Sequence, residues 1–307
     1  MDIQSYAGLL MGLLMAPFLL GIINRTKAFF AGRRGSPLLQ AYFDLFKLLR
    51  HKQVVYSRTT TWIFRAAPSV VLASVVSAML VIPVACELSP LSFQGDLILF
   101  AYFLALARFF TVAAALDTGS SFEGMGASRE VLFSALAEPA LLIGMSALVR
   151  VSGSLSLSSI FSGITEATWH SAGPAIVLVG IAFFIVLLVE NSRMPFDDPN
   201  THLELTMIHE VMILDYSGPD LGLVLYAASL KLWVMAALII NIFLPLAGLS
   251  GIFSFAAFAA GMVLVAVLIG IVESVMARVR LLKVPQLLVG AAALSILAFT
   301  LVLRFTL

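Results

Sequence analysis

Glu190, Arg193, Asp197, Asp198, Glu204, Glu210 and Asp215 stand within the 29 positions from Glu190 to Gly218, together with His202 and His209. Seven charged side chains, out of 18 basic and 17 acidic in the whole chain, thus share less than a tenth of its length. Arg108, Glu138, Lys231 and Glu273, with Glu190 itself, fall within or at the ends of apolar runs. Each such charge costs on the order of 2.5–3.5 kcal/mol at a bilayer centre, so the group needs a use or mutual pairing. A carboxyl group taken out of water holds its proton more tightly and exchanges it nearer neutral pH. These residue types therefore suit a buried path for protons, and a set of structural ion pairs is the competing reading. Glu138 carries the proton reading furthest: it sits seven residues into an apolar run, beside Pro139, which frees a backbone carbonyl. No catalytic set is read here. His202 and His209 are two helical turns apart, about 10.5 Å along an axis, too far to share one metal. His209-Glu210 also lacks the second histidine of His-Glu-x-x-His. No metal site is expected.

The elements that must hold these groups are read from composition. The chain is 61% hydrophobic and 11% charged, with mean hydropathy +1.06, where a soluble domain carries about 25% charge. This predicts an all-α integral membrane protein, since about 20 apolar residues cross a bilayer as a helix. Eight spans are expected, near 6–23, 67–86, 96–116, 131–150, 172–190, 222–246, 253–275 and 286–304. The runs are too long and continuous for a β-barrel. A net charge of +1 argues against nucleic acid. The single cysteine, Cys86, allows neither an internal disulfide nor a cysteine-held cluster, so electrons, if any, are carried elsewhere. Met1-Asp-Ile-Gln lacks the basic start of a signal peptide, and the first run is read as a retained span.

Lysine and arginine set the orientation. The first link holds Arg25, Lys27, Arg33, Arg34, Lys47, Arg50, Lys52 and Arg58, and the seventh holds Arg278, Arg280 and Lys283. The even-numbered links have none. Odd-numbered links are thus expected in the cytoplasm and both termini on the far side of the cell's inner membrane. The chain reads as one transmembrane domain over 1–307, with a cytoplasmic amphipathic link at 24–64 and an acidic coupling loop at 191–221. After Arg33-Arg-Gly-Ser-Pro37, the residues Leu38, Leu39, Tyr42, Leu45, Phe46 and Leu49 recur at helical spacing. They predict a helix along the interface; the link is either a solvated positive-inside loop or a docking element that offers Arg33, Arg34, Tyr42 and Phe46 to a partner. In the second cytoplasmic link, Ser128 is expected to cap a helix beginning near Arg129, and Gly124 and Gly126 to allow close packing. In the third, Asp198-Pro199 looks like a helix start, running to about Leu214. Arg150 and Arg304 lie at span ends, where snorkelling accounts for them.

Glu190-Asn-Ser-Arg-Met-Pro-Phe-Asp197, Glu204 and Asp215-Tyr-Ser-Gly218 resemble the membrane subunit 1 family of NADH:quinone oxidoreductase. Arg129 followed by Glu138, and Arg33-Arg-Gly-Ser-Pro37 with Leu39-Gln40, extend the likeness over nearly the whole chain. Leu116-Asp-Thr-Gly-Ser-Ser-Phe122, Gly126-Ala-Ser-Arg-Glu130 and Glu138-Pro139 bring it nearer the homologous subunit of energy-converting nickel–iron hydrogenases, of the formate hydrogenlyase and hydrogenase-4 component C type. The block from Asp197 to Glu210 departs from both and looks like a related subgroup, which leaves the electron acceptor open between protons and a quinone. The resemblance implies an anchor for a peripheral electron-transfer arm, joined to ion-pumping membrane subunits. It implies hydrogenase-type large and small subunits, an iron–sulfur subunit and antiporter-like chains as partners, which hold the nickel–iron centre and the clusters. It carries ion coupling onto Arg129, Glu138, Glu190, Arg193, Asp197, Glu204 and Asp215. Glu210, Lys231 and Glu273 join them on charge alone. A stand-alone transporter is the remaining alternative, although the internal repeats of that class are not seen.

Overall fold

The computed structural model describes residues 3–85, 88–197, 207–245 and 251–305. Cys86, Asp198, His202 and Glu204 lie outside the described residues. Among those described, the chain is helical or irregular, without strands. Helix α1 is Ile3–Phe30, α2 Gln40–His51, α3 Trp62–Val81, α4 Asp96–Asp117, α5 Ser121–Ser152 and α6 Leu157–Ser162. Then come α7 Glu166–Glu190, α8 His209–Met212, α9 Gly218–Phe243, α10 Gly251–Val275 and α11 Val284–Phe305. Eight of these are long and apolar enough to cross a membrane. The short ones are α2, α6 and α8.

Burial sorts the helices by their sequence. In α9 the residues from Leu232 to Ile240 are all buried, with Trp233 at the centre. A helix apolar all round belongs inside a bundle, and α9 touches α1, α2, α3, α7 and α10. Helices α5, α7 and α11 pack together beside it, and α4 packs between α3 and α5. The connections fall into two groups. At one end Tyr56 donates to Asp220 (2.8 Å), Thr61 N to Asp117 (2.6 Å), Asp215 N to Glu123 (3.2 Å) and Val279 N to the Pro195 carbonyl (2.9 Å). At the other end Leu157 N and the Ser156 hydroxyl donate to buried Asp96 (2.6 and 2.9 Å), and Asn241 donates to the Pro83 carbonyl (2.8 Å). Among the described residues, odd-numbered links therefore gather at one end and the second and fourth links at the other.

Four expectations shift. Helix α3 runs over Trp62–Val81, about five residues earlier than the hydropathy run suggested. Thr61 caps its start while bonded to Asp117, and Ile82 precedes Pro83, which disfavours helix at that position. Helix α5 begins at Ser121, ten residues before the predicted span, because its polar first turns are covered by neighbouring chain and not by lipid. Ser128 is consequently no cap: its hydroxyl donates to the Met125 carbonyl in mid-helix. In the link between α7 and α9 only His209–Met212 is helical among the described residues, and Met207 and Ile208 are not.

Two glycines allow close approach. A Cβ on Gly126 would lie 2.2 Å from Val211 Cγ1, so α8 rests directly on α5, whereas one on Gly124 would meet open space. A Cβ on Gly21 would lie 2.0 Å from the Leu38 carbonyl oxygen, where the chain entering α2 crosses α1. Gly21→Ala should therefore lower stability by about 1–3 kcal/mol through overpacking. The check is thermal unfolding of the purified protein in detergent, with Gly124→Ala staying near wild type.

Candidate ion-coupling site

The site begins at Arg108, on the inner side of α4. Its guanidinium donates through Nη1 to Glu138 on α5 and through Nη2 to Glu190, the last residue of α7. Glu130, two turns before Glu138 on α5, approaches its Nε at 3.9 Å. The second oxygen of Glu190 faces Lys231 Nζ of α9 at 2.8 Å. A charged line, Glu138–Arg108–Glu190–Lys231, thus crosses four helices. The side chains of Arg108, Glu190 and Lys231 keep 10, 6 and 16% of their exposure, and that of Glu138 keeps 47%. The line is buried at one end and open at the bundle's outer surface at the other. With Glu130, it holds three carboxylates against two cations.

A second set lies on the other side of the Glu190–Asp197 stretch. The fully buried Glu273 of α10 takes Lys27 of α1 at 2.9 Å and Arg193 at 3.4 Å. Asp197 accepts from Arg278 (2.8 Å), Ile208 N (2.9 Å) and His209 N (3.3 Å). Arg129 donates to the Met207 carbonyl at 3.0 Å. These bonds hold the chain on both sides of the undescribed 198–206 segment.

Between the two sets is a cavity of about 420 Å³. Leu20, Val71, Val75, Leu225 and Leu232 give it an apolar side. Asp44, Arg108, Glu130, Glu190, Asn191, Arg193, Asp197, His209, Glu210 and Lys231 give it a polar one. His209 stays neutral: burial is the main cause, and the nearby Lys231 and Arg193 cations add to it, so its pKa drops to about 4. Tyr216 plays a packing role. Its ring stacks on Phe64 at 4.1 Å and its hydroxyl donates to the Phe64 carbonyl at 2.9 Å; burial, then nearby acidic groups, push its pKa up. Gly218, at φ +54, passes so near Gln53 that a Cβ would lie 2.7 Å from its carbonyl oxygen.

Glu138 and Glu190 meet at Arg108, Lys231 joins them through Glu190, Glu210 and Asp197 line the cavity, and Arg193 meets Glu273. Arg129 on α5 holds the Met207 carbonyl, and the Asp215 side chain is exposed. Glu204 lies outside the described residues. Of the expected docking residues, Arg33 and Arg34 are exposed and Phe46 is half exposed beneath Arg50 (5.4 Å). The Tyr42 hydroxyl turns inward to the Leu14 carbonyl. Glu130, Asn191, Lys27 and Arg278 escaped notice as site residues. Glu130 had a signal, since Glu130, Ser134 and Glu138 form an i, i+4, i+8 stripe. Among the described residues no three His, Cys, Asp or Glu side chains are grouped to hold a metal.

Eight helices long and apolar enough to cross a membrane, packed around a set of paired ionisable side chains, define a multi-pass membrane protein. The chain belongs to the NADH dehydrogenase family, which it matches over residues 4–303. It is 34% identical over 300 residues to formate hydrogenlyase subunit 4 of Escherichia coli (strain K12), covering 93% of each chain. To hydrogenase-4 component C of the same organism it is 34% identical over 233 residues, covering 76% of this chain and 72% of the relative. A subunit of the NADH-quinone oxidoreductase of Rubrobacter xylanophilus is 26% identical over 213 residues, covering 69% of this chain and 63% of the relative. A chain in the solved structure of the membrane-bound sulfane sulfur reductase, an archaeal respiratory membrane complex, shares the fold with TM-score 0.82 at 22% identity, over 96% of this chain and 98% of that one.

The neutral His209 gives stability a pH signature. Its folded pKa, about 4, lies below the ordinary 6.5, so folding favours the neutral ring. That contribution is fully present above pH 6.5 and is lost as pH falls toward 4. The loss is on the order of 3 kcal/mol. Thermal unfolding of wild type should fall more steeply than that of His209→Gln between pH 6.5 and 4, and parallel curves would contradict the assignment.

Proposed function

We propose that this chain is the membrane anchor and ion-coupling subunit of a multisubunit, redox-driven ion pump of the membrane-bound hydrogenase type. The observation that carries the reading is the continuous line from the cavity, through Lys231, Glu190 and Arg108, to the half-exposed Glu138 at the bundle's outer face. With three carboxylates and two cations, the set becomes neutral when it takes up one proton. A change at the cavity end is felt electrostatically at the membrane face, where little water screens it. The exposed Arg33 and Arg34 and the α2 surface lie on the link side with the coupling stretch. This supports a peripheral electron-transfer arm docked there, in the cytoplasm, with both termini on the far side of the inner membrane. The nickel–iron centre and iron–sulfur clusters then belong to large, small and iron–sulfur subunits. Antiporter-like membrane chains take the ion, proton or sodium, beyond Glu138.

The cavity itself favours a second reading, a quinone site in a complex I-like assembly. An apolar wall facing Arg108 and Lys231 suits an apolar tail with carbonyl oxygens at its head. Competitive, saturable binding of a quinone analogue to the intact complex would support it, and redox turnover indifferent to any quinone would dismiss it.

The coupling reading is tested in the intact complex in sealed vesicles. Glu190→Gln and Glu138→Gln should each lower ions moved per redox turnover by at least tenfold, with the partner chains still co-purifying. A wild-type ratio in both variants would remove the network from the route.

A further inference from the structure

His209 is part-buried beside the charged line and takes no part in any of its ion pairs. Its backbone is fixed, because His209 N and the preceding Ile208 N both donate to Asp197, which Arg278 holds in turn. The side chain lines the cavity together with Lys231 and Glu190. Its Nε2 is buried and has no hydrogen-bond partner in the protein. Asn191 shows the same pattern on the same cavity wall. Its Nδ2 is spent on the Leu187 carbonyl at 2.9 Å, and its Oδ1 is buried without a protein partner. Buried polar atoms are satisfied by protein or by water, and a polar cavity of this size has room for several waters. Water in the cavity is thus the partner that both atoms call for.

We propose that His209 is a neutral proton relay between that water and the Glu190 end of the charged line. This inference rests on the ion-coupling reading. A neutral imidazole carries one N–H donor and one bare acceptor nitrogen, whereas the imidazolium has two donors and accepts nothing. Lys231 and Arg193, which flank the same cavity, only donate and add to desolvation in keeping the ring uncharged. In the relay step, a proton from a water on one side forms a bond to the bare ring nitrogen. The N–H bond on the other nitrogen breaks, and its proton passes to the next water, toward Glu190. The ring begins and ends neutral, and a ring flip restores the starting tautomer. No charge is stored on His209, so the ring avoids placing a third cation between Lys231 and Arg193.

The test is the number of ions moved per redox turnover by the intact complex in sealed vesicles, with assembly followed by co-purification. Glutamine keeps a donor and an acceptor but exchanges no ring proton, so His209→Gln should lower the ratio at least fivefold. In His209→Ala, added imidazole should restore the ratio, and 1-methylimidazole, which has no N–H, should not. A wild-type ratio in His209→Gln, equal restoration by both compounds, or restoration by neither would overturn the relay. Should His209→Gln fail to assemble, the imidazole comparison in His209→Ala decides alone. If Glu190→Gln lowers the ratio while the His209 variants do not, only the relay falls; if Glu190→Gln also leaves it unchanged, the coupling reading falls first.

Discussion

A guanidinium inside an apolar bundle cannot be left without counter-charge, and much of the site follows from how Arg108 is met. Its two terminal nitrogens reach Glu138 on α5 and Glu190 on α7. These contacts require α4, α5 and α7 to stand within one side-chain length of each other at that depth. Glu190 then recruits Lys231 and so brings in α9, the most buried helix. Desolvation of such ions offsets much of their attraction, and apolar replacements of similar volume are often neutral or stabilising. Net stability therefore does not explain why four ionisable groups persist in a line across four helices. The coupling role proposed for them would, because in a poorly screened interior the state of one carboxylate alters the energy of the next.

The stretch from Glu190 to Asp197 joins two electrostatic sets through very few residues. Glu190 ends α7 in the Arg108 set. Three residues later Arg193 belongs to Glu273, and four after that Asp197 belongs to Arg278. Lys27 closes the second set from α1. The same segment lines the cavity through Asn191, Arg193 and Asp197. Chain geometry, cavity wall and ion pairs are thus one object, and rearrangement of the segment would act on both sets at once.

Hydropathy was enough to find eight spans, because bilayer thickness imposes one length on every crossing helix. It failed at the start of α5, where Glu123, Arg129 and Glu130 suggested a solvated link. Protein, not lipid, surrounds that turn: the Glu123 side chain is buried and bonded to Asp215 N. The amphipathic α2 was legible from spacing, but not that Tyr42 faces α1. At the site, intramembrane charges announced themselves by being out of place, and their pairing did not, since adjacency of α4, α5, α7 and α9 is a tertiary fact. Lys27 and Arg278 read as topology markers in sequence, where only their sign counts. In the fold they are the partners of Glu273 and Asp197. The Asp215-Tyr-Ser-Gly218 motif reads as acidic chemistry, yet Tyr216 and Gly218 serve close packing against Phe64 and Gln53.

The outer end of the charged line bears on whether the chain works alone. Glu138 keeps 47% of its side-chain exposure on a face that also exposes Leu106, Phe109 and Leu142. Lipid solvates a carboxylate poorly, and an ionisable residue in a span faces a bundle interior, a polar cavity or a partner. A transporter complete in one chain would keep its coupling carboxylates at the centre, between two repeats that rock about them. Here the inner end of the line is enclosed, and Glu138 at the other end is half exposed while bonded to Arg108. In the coupling role proposed for this chain, a neighbouring membrane chain at α4 and α5 supplies polar groups to that carboxylate, as a subunit that hands charge onward requires.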